Sequence, residues 1–259
     1  MDTNVEIVSV GASNLAERGF FCRKSKRKTE GYRQKLDWLE QRLSEGLQIK
    51  MLYENGRSVG FIEYVPGAFT WRAVNAAGYL VIHCLWVVGR AKKKGYGSRL
   101  VNICVDDARK MGKHGIAMVT SRRNWLAGSS ILLKNGFEVV DQAPPSFELL
   151  VKKLADAPSP TFPRDWDKRL GHYGSGLTIV RSGQCAYINN AVKAALETAH
   201  EAGVEAKVIE LESCQHAQEL APSAYGVFNM VYDGKLLAYQ VFPSLTTEDL
   251  HPPAGKHQD

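Results

Sequence analysis

The stretch from Tyr79 to Leu100, "YLVIHCLWVVGRAKKKGYGSRL", decides the fold. Its first ten residues are almost wholly apolar and rich in branched side chains, the pattern of a central strand buried on both faces. Lys92, Lys93 and Lys94 then lead into Gly95-Tyr96-Gly97, and a helical period follows, with Leu100, Ile103, Cys104 and Met111 on one face. Glycines between a buried strand and a helix let the backbone turn sharply and aim several N–H groups outward. The helix N-terminus adds a partial positive charge and the lysines add full ones, which together suit a pyrophosphate. Two nucleotide-binding patterns fail on spacing. A P-loop needs glycine five residues after Gly89, where Lys94 stands, and a dinucleotide fingerprint needs a third glycine where Leu100 stands. A plain helix start with solvated lysines has the same spacing.

Working outward, Val5–Val10 reads as a strand, and Tyr32, Leu36, Leu39 and Leu43 mark a helix. Leu47–Val65 reads as two strands turning at Asn55-Gly56. The loop before the central strand carries Trp71, Arg72 and Asn75. Downstream come a strand at Gly115–Ser121, a short helix before Gly136, and strands at Phe137–Gln142 and Phe147–Leu154. This order predicts a mixed α/β sheet with a parallel pair at its centre. Proline-rich residues then mark a linker, giving a first domain over 1–154, a linker over 155–175 and a smaller βαβαββα domain over 176–259.

The chain has 259 residues, a net charge of +6 and 44% hydrophobic content, enough for two cores and a mild preference for anionic ligands. Five cysteines without a CxxC pair argue against a disulfide framework and against zinc. No apolar run approaches the ~20 residues of a membrane span, and the N-terminus lacks a signal-like core. The expectation is a cytoplasmic protein with reduced thiols and no membrane partner. The basic run Arg23–Lys35 carries no known nucleic-acid-binding motif, so no nucleic-acid partner is expected.

Leu85-Trp86-Val87, the basic Gly-x-Gly turn eight residues later, and "NWLAGSSILLKNGF" (Asn124–Phe137) together resemble the GNAT acyltransferase superfamily. The likeness is nearest to its YoaP-like subgroup, through "GFFCRKSKRK", "WRAVNA", "IHCLWVVG" and "PSFELLVKKL". The resemblance implies a GNAT fold with a thioredoxin-like C-terminal domain, an acetyl-CoA cofactor, and transfer of acetyl to the amine of a small molecule or peptide in a ternary complex. It implies cofactor contacts at Leu85, Trp86, Val87, Lys92, Lys93, Lys94, Gly95, Tyr96, Gly97, Ser98 and Asn124. It further implies that the two central strands splay apart. Three positions depart from the pattern: Lys92 for Arg or Gln, Trp86 for a small residue, and Leu132 for the tyrosine that often serves as general acid.

Amine acylation needs an oxyanion donor and a route for the amine's proton. Glu63, a carboxylate in an apolar strand whose pKa rises if desolvated, and His83, on the face of Leu85, are the base candidates; each also fits a hydrogen-bonded core group. Ser129 or Ser130 is a candidate acid. Cys84 is a candidate acyl carrier or a plain core cysteine. Trp71, Arg72 and Asn75 are candidates for shaping the acceptor pocket. In the second domain, Cys185 at a helix start is a candidate thiolate, while Ile188 occupies the place of a second cysteine. The rival readings are a CoA-binding module without catalysis and a thiol-based redox sensor. The second domain is expected to gate substrate or support a homodimer.

Overall fold

A computed structural model describes residues 4–121, 127–240 and 244–250. In chain order the elements are β1 (Val5–Val10), α1 (Leu15–Arg18), α2 (Glu30–Leu43), β2 (Gln48–Glu54), β3 (Arg57–Pro66), β4 (Tyr79–Val87), α3 (Tyr96–Lys110), β5 (Gly115–Ser121), α4 (Ser129–Lys134), β6 (Glu138–Ala143) and β7 (Phe147–Lys153). They are followed by α5 (Trp166–Gly171), β8 (Leu177–Arg181), α6 (Ile188–Glu201), β9 (Ala206–Glu210), α7 (Cys214–Leu220), β10 (Phe228–Tyr232), β11 (Lys235–Ala238) and α8 (Thr247–Leu250).

The first sheet has the order β1-β2-β3-β4-β5-β7-β6, antiparallel throughout except for β4 and β5. The parallel pair is joined by α3, the crossover that parallel neighbours require. On one face α3 and α4 bury Leu100, Cys104 and Leu132 against Ile62, Leu80, Leu85 and Ile116. The other face holds Trp38 from α2 with Ile49, Phe61 and Val81, in one apolar core continuous with Ile179, Val180 and Phe228 of the second sheet. That second sheet has the order β11-β10-β8-β9, with β8 and β9 parallel.

Two local departures shape the centre. Parallel pairing covers only Tyr79–Ile82 against Gly115–Met118. Beyond it β4 runs on to Val87 and β5 to Ser121 without pairing to one another, so the strands part in a V. Opposite, Glu63 pairs with Cys84 but Tyr64 with Ile82, leaving His83 as the extra residue of a β-bulge. Such a bulge bends the strand and re-aims its side chains.

The two sheets meet in backbone contact. Gly226 sits in the left-handed region at φ +68°, and a Cβ there would lie 2.5 Å from the Trp71 carbonyl oxygen. Only glycine satisfies both the conformation and the approach. Arg181 Nη2 donates to Gln34 Oε1 (2.6 Å), and Gln218 Nε2 donates to the Thr70 carbonyl (2.9 Å).

Candidate active site

The bulge changes which residues share a face. His83, Cys84 and Trp86 all line a cavity of about 220 Å3 on the side of the second sheet, whereas Leu85 packs beneath α3. The expectation that His83 and Leu85 share a face is therefore corrected, because the extra residue breaks the two-residue alternation. The first sheet contributes Phe61 and Glu63 to this cavity, the loop before β4 contributes Arg72, and loops flanking the second sheet contribute Gln184, Cys185 and Tyr225. The cavity thus borders the half of β4 that does not pair with β5.

Glu63 lies at its floor, 2% exposed. Its Oε2 accepts from Lys35 Nζ at 2.7 Å and its Oε1 accepts from Gln184 Nε2 at 3.3 Å. Burial pushes this carboxyl up, but Lys35 and His83 together outweigh burial and bring it down to about 2. The sequence reading of a raised pKa is corrected: α2 delivers a lysine whose partnership the strand alone does not reveal. Burial lowers His83 to about 4, against the opposing pull of Glu63, so the ring is neutral. Its Nε2 accepts the Trp71 backbone N–H at 3.1 Å and lies 3.1 Å from Thr70 Oγ1. The proton therefore sits on Nδ1, which lies 3.7 Å from Glu63 Oε1. With that tautomer His83 offers a donor rather than a lone pair to the cavity, which does not suit a general base.

Arg72 is 2% exposed; its Nη1 donates to Gln184 Oε1 and its Nη2 to the His83 carbonyl, each at 2.6 Å. The guanidinium thus occupies a carbonyl of the bulge itself, and it stacks over Tyr225 with 5.2 Å to the ring centroid. Arg72 reaches the cavity as expected, but its neighbours do not. Trp71 packs edge-on to Trp38 and under Arg42, outside the lining, and Asn75 bridges to Thr161 of the proline-rich segment. Contrary to expectation neither shapes the acceptor cavity, since their backbone N–H groups tie this loop to His83 and Thr161.

The thiols follow burial. Cys84 is pushed up to about 12 by burial and by Glu63, and Cys185 is raised by burial. Cys185 also precedes α6 by three residues instead of lying in its first turn. The expectation of a helix-activated thiolate is corrected on both counts. All five cysteines are free thiols.

The glycine turn keeps the geometry its sequence suggested. Gly95 is left-handed at φ +79° and opens α3, and no side chain caps the helix. The first-turn N–H groups therefore have no intrahelical acceptor. A Cβ at Gly95 would meet nothing within 4 Å, so the turn is open to an approaching anion. Lys92 lies over Trp86, with Nζ 5.3 Å from the ring centroid. Lys94 instead pairs with Glu54 at 2.8 Å, and Tyr96 donates to the same carboxylate. Gly97 lets α3 approach Ile131 of α4, and Ser98 Oγ accepts from Asn135. Leu132 is fully buried in the core beneath α3, and Ser129 opens α4 outside the cavity lining. Asn124 lies outside the described residues.

Lys35, Gln184 and Tyr225 were not singled out from the sequence. Lys35 sits inside a basic run that reads as a solvated face, and Gln184 and Tyr225 reach Glu63 and Arg72 only through the packing of the two sheets. Among the described residues no cluster of metal-ligating side chains exists, and no helix is long and apolar enough to cross a membrane.

Residues 13–137 match the acetyltransferase (GNAT) family. The chain is 30% identical over 240 residues, 90% of its length and 93% of the relative's, to the uncharacterized N-acetyltransferase YoaP of Bacillus subtilis. It is 30% identical over 112 residues, 42% of its length and 61% of the relative's, to the L-methionine sulfoximine/L-methionine sulfone acetyltransferase of Salmonella typhimurium. A solved Salmonella typhimurium acetyltransferase, yncA with acetyl-CoA, is similar at 18% identity and a TM-score of 0.43, covering 60% of this chain and 96% of that one. Splayed central strands, a bulged β4, an open glycine turn and near full-length likeness to YoaP converge, and the chain belongs to the GNAT family of N-acetyltransferases.

Proposed function

We propose that this protein transfers an acetyl group from acetyl-CoA to the amine of a small, carboxylate-bearing acceptor held in the cavity beside β4. The observation that carries the reading is the cavity itself. It borders the half of β4 that does not pair with β5, its volume of about 220 Å3 suits a small molecule better than a folded protein, and it is lined by Arg23, Lys35 and Arg72 against one carboxylate, Glu63. That excess of cations favours an anionic acceptor, and the aromatic walls favour one with an apolar part. The Salmonella typhimurium relative named for amino-acid derivatives points the same way.

The cofactor fits the opposite side of the V. The uncapped first turn of α3, Lys92 and the open Gly95 turn would hold the pyrophosphate. The backbone of Leu85–Val87, which pairs with β3 and not with β5, would hold the pantetheine arm along its β5 side and polarise the acyl carbonyl. When bound, acetyl-CoA supplies an activated thioester. Glu63, held ionised by Lys35, orients the acceptor's ammonium. At a pKa of about 2 it does not retain the proton, so the amine reaches its reactive neutral form by its own ionisation, with water carrying the proton away. Cys84, pushed up to about 12, makes a poor nucleophile, which supports direct transfer over an acyl-cysteine. The order and directions of the second sheet support a thioredoxin-like reading of the C-terminal part, without dithiol chemistry.

The test pairs amino acids with their amides and decarboxylated analogues, and detects acetylated product by mass spectrometry with acetyl-CoA saturating. The expected result is at least ~10-fold higher kcat/KM for the carboxylate-bearing member of each pair. Equal turnover of both members, or turnover of peptides alone, overturns the proposal.

A further inference from the structure

Gln184 lies in the loop between β8 and α6, far along the chain from the strands that carry the chemistry. It is nonetheless 5% exposed, and its amide stands between the two buried charges of the first sheet. Its Oε1 accepts from Arg72 Nη1 at 2.6 Å, and its Nε2 donates to Glu63 Oε1 at 3.3 Å. An amide carries its acceptor and its donor on separate atoms, so it can accept from a guanidinium and donate to a carboxylate at once. Turning it over would set its oxygen against Glu63 and its NH2 against Arg72, so both neighbours fix its orientation.

The loop that presents Gln184 is itself clamped. A Cβ on Gly31 of α2 would lie 2.5 Å from the Ala186 carbonyl oxygen, and one on Gly226 would lie 2.5 Å from that of Trp71. Backbones this close, over a continuous apolar core, describe a permanent junction rather than a hinged lid.

We infer that the C-terminal sheet is a working part of the acceptor site, with Gln184 as the positioning residue that fixes the Glu63 carboxylate and the Arg72 guanidinium for acceptor binding. The inference rests on the proposed role of Glu63. Arg72 holds the carbonyl of the β4 bulge, so the amide also ties the second sheet to the point where the central strands part. Tyr187 and Tyr225, from segments adjoining the same sheet, complete the wall against which the acceptor's apolar part packs.

The test uses the full-length chain, with an amine that the wild type acetylates. Gln184→Met keeps the volume and removes both hydrogen bonds; kcat/KM for the acceptor is expected to fall at least ~10-fold while KM for acetyl-CoA stays within about twofold. Gln184→Glu keeps an acceptor for Arg72 but sets a second carboxylate against Glu63. The pair then binds a proton, and an additional ionisation is expected in the kcat/KM profile that the wild type lacks. A merely structural role would not create that ionisation. The inference is overturned if Gln184→Met retains acceptor kcat/KM within about twofold, if it weakens both substrates in parallel, or if the Gln184→Glu profile superimposes on the wild type. Wild-type failure to acetylate any amine overturns the proposed function and this inference together, whereas turnover unaffected by Gln184 overturns the inference alone.

Discussion

Replacing Lys35 with methionine isolates the electrostatics at the cavity floor. In the wild type, burial alone would raise Glu63, yet the lysine 2.7 Å away and His83 hold it at about 2 against an ordinary 4.5. That drop, at about 1.4 kcal/mol per pH unit, corresponds to roughly 3 kcal/mol of folding stability above pH 4.5. A depressed carboxylate contributes stability that is present above its unfolded pKa and is lost as pH falls through its folded one. The wild-type contribution therefore fades between pH 4.5 and about 2. In Lys35→Met burial stands unopposed by its main counter-charge, Glu63 rises above its ordinary value, and the sign reverses: stability falls as pH climbs past about 4.5. The expected loss against wild type is about 3–5 kcal/mol at pH 8, the range for a buried pair deprived of one partner, and clearly less at pH 5. Urea unfolding at both pH values measures it, and Lys35→Met/Glu63→Gln should recover most of the loss. A penalty below about 1 kcal/mol at pH 8, or one equal at the two pH values, would refute the coupling.

Three further predictions concern other parts of the molecule. With Glu63 at about 2, His83 at about 4 and Cys84 at about 12, the acid limb of kcat/KM should follow the acceptor amine and move when a less basic amine is used; a limb fixed between pH 6 and 7 for all amines would point to a base elsewhere. Gly226→Ala should cost about 2–4 kcal/mol, combining left-handed strain with collision on the Trp71 carbonyl. Gly234→Ala, left-handed but in open space, should cost about 1 kcal/mol, and equal losses in thermal or urea unfolding would argue against the close approach. Cys84→Ala should retain acetyl transfer within about tenfold, and quenched-flow mass spectrometry should find no acetylated enzyme; loss of all turnover with intact folding would favour an acyl-cysteine.

Much of the architecture was legible from short stretches of sequence, because the features involved are local. A run of branched apolar residues specifies a buried strand, Gly95 specifies a left-handed start to α3, and Asn55-Gly56 specifies a hairpin. The likeness carried by the Gly-x-Gly turn and the Asn124–Phe137 segment supplied the family, which the near full-length match to YoaP establishes. The site was legible only in outline. Glu63, His83 and Arg72 are polar residues in apolar surroundings and so draw notice, but Trp71 and Asn75, equally noticeable, serve the loop's anchorage.

The sequence by itself determined the sheet order's raw material and an open, positively charged turn, since strand, helix and turn preferences act over a few neighbouring residues. Tertiary structure alone decided the charge state of Glu63, the tautomer of His83 and the silence of Cys185. Each of these depends on what lies within a few ångströms in space: Lys35 brought by α2, the Trp71 amide brought by the loop, and Gln184 brought across the junction of the two sheets from 121 residues along the chain. Desolvation and Coulomb attraction act through space, and only the packed core sets those distances.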